Sequence, residues 1–177
     1  MSQDRNGSGQ AGKQAADTAG SADQDSVYGG RARIPPPMIY AAFFAAGFVL
    51  QKCFPVDVFP RAPGRVIAGL CAGAAAILAA SSFSTFGRHR TSALPIRPSA
   101  ALVTDGPYRL TRNPMYVSLA LLYAALSLWF GVFWALVFLP AAVAVVHFYV
   151  IAGEERYLER RFGEEYVRYK ARVRRWL

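Results

Sequence analysis

Reactive side chains are scarce in this chain. It carries two cysteines, Cys53 and Cys71, and two histidines, His89 and His147. None of these has metal-ligand spacing, and two cysteines in or beside apolar runs make no disulfide framework. Metal binding is therefore not expected, and the thiols read as small apolar packing groups. Ser92, Ser99 and Ser118 lie near polar segments, but none sits in a G-x-S-x-G turn, so the common hydrolase arrangement is missing. Acidic residues number 11 against 20 Lys and Arg, for a net charge of +9. Because 54% of the residues are hydrophobic, that charge points away from nucleic acid and toward an anionic membrane leaflet, at about 1 kcal/mol per near-surface basic residue. Gly7-Ser8-Gly9-Gln10-Ala11-Gly12 spells G-x-G-x-x-G, but no strand precedes it and no helix follows, so it is read as chance.

Residues 1–34 are rich in Gly, Ser, Gln, Ala and Asp, with no hydrophobic period. Such a segment buries too little surface to offset its ordering entropy, and a disordered tail is expected. It has no apolar stretch of the kind a signal peptide needs. From 35 to 177 the chain reads as one membrane domain. Four apolar segments, about 38–54, 66–86, 114–130 and 132–151, contain a single charge, Lys52, near an end where it can snorkel. A bilayer leaves backbone groups no water partners, so all four are expected as transmembrane helices. The expected fold class is all-α: a multi-pass integral membrane protein with four spans and cytoplasmic C-terminal helices over 152–177.

Trp129-Phe130-Gly131 is too short to be more than the turn of an antiparallel hairpin, with Gly131 supplying it. Pro140 is positioned to kink the fourth span. Of the 20 basic residues, 17 fall in the tail, the 87–113 loop and the segment after Ile151, against three in the 51–65 connection. The positive-inside rule then places both termini and the 87–113 loop in the cytoplasm. Phe162, Tyr166, Tyr169, Val173 and Trp176 recur at helical spacing among basic residues, which predicts an amphipathic surface helix, with Gly163 separating it from the helix before.

Two polar segments bracket the hairpin. The first is Gly106-Pro107-Tyr108-Arg109-Leu110-Thr111-Arg112-Asn113-Pro114-Met115-Tyr116. The second begins at Glu154-Glu155 and runs through Phe162-Gly163-Glu164-Glu165-Tyr166. A hairpin brings both to one face of the bilayer. Asn113-Pro114 also has the residues of a helix start, whose free N–H groups suit an anion. His147 lies seven residues before Glu154, so an α-helix puts both on one face. A histidine inside a span is a candidate functional group in its own right.

The first bracket resembles the G-P-Y-R-x-x-R-[HN]-P-x-Y signature of the isoprenylcysteine carboxyl methyltransferase and phospholipid methyltransferase superfamily. Glu154-Glu155-x-x-Leu158 and Phe162-Gly163-Glu164-Glu165-Tyr166-x-x-Tyr169 resemble its second signature, in the same order around a hairpin. The chain departs at Asn113, where isoprenylcysteine methyltransferases usually carry His. The resemblance implies an S-adenosyl-L-methionine-dependent methyltransferase without a Rossmann fold, acting on a lipophilic acceptor in the bilayer. It implies a site drawn from Tyr108, Arg109, Arg112, Asn113, Met115, Tyr116, His147, Glu154, Glu155 and Tyr166. Arg109 or Arg112 suits the cofactor carboxylate, and Glu154 or Glu155 its ammonium or ribose hydroxyls. Met115, Tyr116 and Tyr166 suit the adenine or the methyl sulfonium. Glu154 and Arg112 are the candidate catalytic pair. A carboxylate acceptor needs no general base, whereas an amine or thiol acceptor leaves room for a base such as Glu154. Prenylcysteine carboxylate, phospholipid amine and small thiol stay open as acceptors. The competing readings are a non-enzymatic four-helix membrane adaptor and a small transporter.

Overall fold

The computed structural model describes residues 34–58, 60–88 and 102–177. The tail and its glycine pattern, His89, Ser92 and Ser99 lie outside the described residues. Helix α1, Pro36–Cys53, opens with Pro36 in the first turn, where a missing N–H costs nothing. Helix α2, Arg61–Arg88, follows, then a 3-10 turn at Gly106–Arg109. Helix α3 is Pro114–Phe130 and helix α4 is Phe133–Val145. Without a break, α4 passes through a π-helical segment, Val146–Ile151, into α5, Ala152–Phe162. Helix α6, Glu164–Arg172, completes the order. No strand occurs among the described residues.

Two of these helices are long and apolar enough to cross a membrane: Arg61–Arg88 and the continuous Phe133–Phe162. Only 17% and 28% of their apolar windows are buried within the protein. The core helix of a soluble protein is mostly buried, and apolar faces left this open suit contact with lipid. Val66, Leu70, Ile77 and Phe148 stand on that exposed surface. Helix α2, 28 residues long, measures about 42 Å, more than a hydrocarbon core requires. Helix α3 is apolar but shorter.

Three close approaches hold the helices together. Gly47 of α1 faces Ala135 of α4, where an added Cβ would lie 2.6 Å from the Ala135 backbone. Tyr123 of α3 donates its hydroxyl to the Ala135 carbonyl at 2.9 Å and takes Phe44 edge-on at 5.5 Å. Around these, Ile39, Tyr40, Val132, Ala142, Val146, Val150 and Ile151 form the apolar core. The α3–α4 hairpin turns at Gly131, whose φ of 68° favours glycine. Gly131 N–H reaches the Leu128 carbonyl and Val132 N–H the Ser127 carbonyl at 2.8 Å, which satisfies the last carbonyls of α3. At this end the Arg65 guanidinium covers the Trp129 ring, and the Trp134 indole donates to the Phe54 carbonyl.

Pro140 lies inside α4, and a departure from α geometry follows it at Val146–Ile151. Two local expectations change. Cys53 is exposed at the end of α1 rather than packed, while Cys71 is partly buried. The amphipathic helix stops at Arg172, because Val173 turns extended (φ −119°, ψ 132°). Its apolar face therefore holds Tyr166 and Tyr169, both buried, but Trp176 leaves the helix. Gly163 separates α5 from α6 with φ 53°, as its position suggested.

Candidate active site

The end of the helices opposite the Gly131 turn is built around the first polar bracket. Gly106 has φ 57°, and a Cβ there would meet Thr85 Oγ1 at 2.7 Å, so this glycine is required twice over. It lets the chain turn tightly against α2. Tyr108 then packs edge-on to Phe86, centroids 5.4 Å apart, and its hydroxyl is hydrogen-bonded with Ser82. From the other side Tyr169 donates to the Tyr108 carbonyl at 2.7 Å. The bracket is thus clamped between α2 and α6.

Residues 173–177 form a strap that returns to this loop. Arg112 N–H donates to the Arg174 carbonyl at 2.9 Å. Thr111 Oγ1 and Asn113 Nδ2 both donate to the Arg175 carbonyl, at 3.1 and 2.9 Å. Asn113 occupies the N-cap position of α3, but its side chain serves the strap and makes no cap bond. The helix start is set instead by Pro114, buried in the first turn.

The strap carries Arg175 into the second bracket. Arg175 Nε donates to Glu155 Oε1 at 3.0 Å, and Nη2 donates to Oε2. This two-point pairing raises the Arg175 pKa, the hydrogen bond to Glu155 being the main cause. Arg175 Nη1 also lies 2.8 Å from His147 Nε2, and Trp176 Nε1 lies 2.9 Å from His147 Nδ1. A neutral imidazole has one acceptor nitrogen, so only one of these two donors is satisfied. Glu155 itself is buried. An uninterrupted α-helix would pair His147 with Glu154. The π-helical segment adds a residue to the turn, and it is Glu155 that meets His147 around Arg175.

Glu154 faces α3 instead and accepts a hydrogen bond from the Tyr116 hydroxyl at 2.8 Å. Beside Glu155 stands Arg112, whose side chain is 10% exposed. Its Nη1 lies 2.9 Å from Glu155 Oε1 but without hydrogen-bond alignment. Both Nε and Nη1 are buried with no hydrogen-bond partner among the described residues. Tyr166 is almost fully buried beside this pair. Burial pushes its pKa up to about 12, with Glu155 adding to the rise and Arg112 opposing it.

The structure therefore gathers Tyr108, Arg112, Asn113, Tyr116, His147, Glu154, Glu155 and Tyr166 at one end of the helices, with Met115 half-buried in the first turn of α3. Arg109, in contrast, is exposed. Sequence reasoning passed over Arg175, Trp176 and Thr111. Nothing in the spacing of the basic C-terminal run distinguishes Arg175, which points inward, from Arg174, which is exposed.

These features define an all-helical, membrane-associated protein with two carboxylates and two guanidiniums drawn together at one end of its apolar helices. Residues 64–165 match the model of the phospholipid methyltransferase family, and the chain belongs to that family. An uncharacterised protein of Haemophilus influenzae is 48% identical over 63 residues, which is 36% of this chain and the whole of that protein. No solved structure matches.

Proposed function

We propose that this protein is an integral membrane methyltransferase that uses S-adenosyl-L-methionine and methylates a lipophilic acceptor. Arg112 carries the reading. A buried guanidinium with two unpartnered donors costs several kcal/mol unless an oxyanion completes it, and the carboxylate of the methyl donor has the right charge and shape. Glu154, held by Tyr116, is placed to accept from the donor's ammonium or ribose hydroxyls. Met115 and Tyr116 offer an apolar and aromatic surface to the adenine and sulfonium. Asn113 and His147 fix the strap that closes the site, and Tyr108 and Tyr166 form its wall. Glu155 serves as counter-ion to Arg112 and Arg175. The bound cofactor supplies a methyl group already activated by positive sulfur. The protein's task is then to position the acceptor and exclude water.

The charge distribution supports four spans with both termini and the site in the cytoplasm. A prenylcysteine-like carboxylate acceptor needs no base. The family description favours a phospholipid amine as a second reading. In that case an ammonium must first lose a proton, and Glu154 is the base within the cluster. Incubating membranes that contain the protein with radiolabelled S-adenosyl-L-methionine, then separating lipid, protein and volatile fractions, tests this. Label in the lipid fraction supports the amine, label released from protein by base supports the carboxylate, and volatile label supports a thiol. No label above that of membranes lacking the protein contradicts the function.

A further inference from the structure

We propose that Arg175 is a positioning residue: by occupying both oxygens of Glu155 it keeps Arg112 free to receive an anionic group. The inference rests on the methyl-donor reading above. Arg112 and Arg175 both converge on one buried carboxylate. Arg175 engages both oxygens of that carboxylate, with Nε on Oε1 and Nη2 on Oε2. This is the favoured two-point geometry of guanidinium and carboxylate. Arg112 is left with a misaligned contact to Oε1 and with Nε and Nη1 unpartnered. Glu155 is thus shared by two guanidiniums while Glu154 is held by Tyr116, and the Arg112 donors are the ones left to receive an oxyanion.

Without Arg175 the situation reverses. Glu155 would be a buried carboxylate with Arg112 as its nearest cation, and a buried charge must be paired. Arg112 would turn onto Glu155 and spend the donors that otherwise face the ligand. The strap is well placed to perform this service. It is anchored through the Arg174 and Arg175 carbonyls on Arg112, Thr111 and Asn113, so the loop that bears Arg112 also seats Arg175. Trp176, further along the strap, lies near-parallel to the His147 ring with centroids 6.4 Å apart.

The effect is specific to the ligand's negative group, which separates it from a merely structural role. S-adenosylhomocysteine and its decarboxylated counterpart are titrated against the full-length protein in detergent or nanodiscs. The protein with Arg175 intact is expected to bind both, the carboxylate-bearing ligand more tightly. Arg175→Ala should weaken S-adenosylhomocysteine by about ten-fold or more. It should leave the decarboxylated compound within about two-fold. Adding Glu155→Gln to Arg175→Ala removes the competitor and should recover most of the lost affinity. Arg175→Lys, which retains charge without the fork, should show the same selective loss in smaller measure and serves if the alanine variant does not fold. Equal loss of both ligands, no loss of either, or a double variant no better than Arg175→Ala overturns the inference while leaving the methyl-donor reading intact. If the parent protein binds neither ligand, that reading falls and takes this one with it.

Discussion

The Tyr116 hydroxyl donates to Glu154 Oε1 at 2.8 Å, joining the first turn of α3 to the first turn of α5. These residues belong to the two polar brackets, 38 positions apart, and the hairpin between them brings them into contact. The bond also gives Glu154 a fixed direction. Replacing Tyr116 by Phe removes one charge-assisted hydrogen bond worth about 1 to 2 kcal/mol, which corresponds to roughly five- to thirty-fold. We expect S-adenosylhomocysteine affinity to fall by an amount in that range while thermal stability changes little. Calorimetric titration of Tyr116→Phe measures it, and unchanged affinity would separate this bond from ligand binding.

Helix packing makes a prediction that leaves the site alone. Gly47 sits where a Cβ would come within 2.6 Å of the Ala135 backbone. Backbone cannot yield as a side chain does, so Gly47→Ala must push α1 from α4. A loss of about 2 to 3 kcal/mol is expected, read as a lower unfolding temperature in detergent. Ligand affinity per folded molecule should stay as before. A variant as stable as the parent would show that these helices do not pack as described.

Alkali should loosen the C-terminal clamp. Burial raises the pKa of Tyr108 and Tyr169, and it raises that of Tyr166 to about 12. A phenol whose pKa is higher in the folded state stabilises that state below its unfolded value near 10, and the contribution is lost as pH climbs toward about 12. Tyrosinate absorbance should therefore rise together with detachment of α6 above pH ~10, and Tyr166→Phe should move that transition upward. A transition at the same pH in the variant would remove Tyr166 from the account.

Much of this arrangement was legible in the chain, for identifiable reasons. The apolar segments had sharp polar boundaries, and Gly131 and Gly163 marked breaks that the backbone confirms with positive φ. The brackets could be brought together because a short hairpin admits one geometry. What escaped reading depended on non-local contacts. The π-helical segment exchanges Glu154 for Glu155 as the partner across from His147, and no propensity rule flags it. The helical spacing of Val173 and Trp176 suggested a longer amphipathic helix. Two strap carbonyls bonded to Arg112, Thr111 and Asn113 prevail over that pattern. Arg109 and Arg112 looked equivalent in sequence, and only packing shows that one is exposed and the other enclosed.

Topology is testable with the native thiol. Cys53 is exposed at the end of α1, on the side that the proposed topology puts away from the cytoplasm. A membrane-impermeant maleimide should label it in intact cells, while Lys170→Cys, on α6, should react only after permeabilisation. Labelling of Lys170→Cys from outside would invert the orientation.

The central claim is that Arg112 and Glu154 hold a methyl donor at the cytoplasmic end of the helices. Equilibrium binding of radiolabelled S-adenosyl-L-methionine to the purified protein tests it most directly. Saturable binding to the parent protein, lost in both Arg112→Ala and Glu154→Ala while each variant keeps its helicity and elutes as a single species, is the predicted result. No saturable binding to a folded parent protein, or parent-like affinity in both variants, would contradict it.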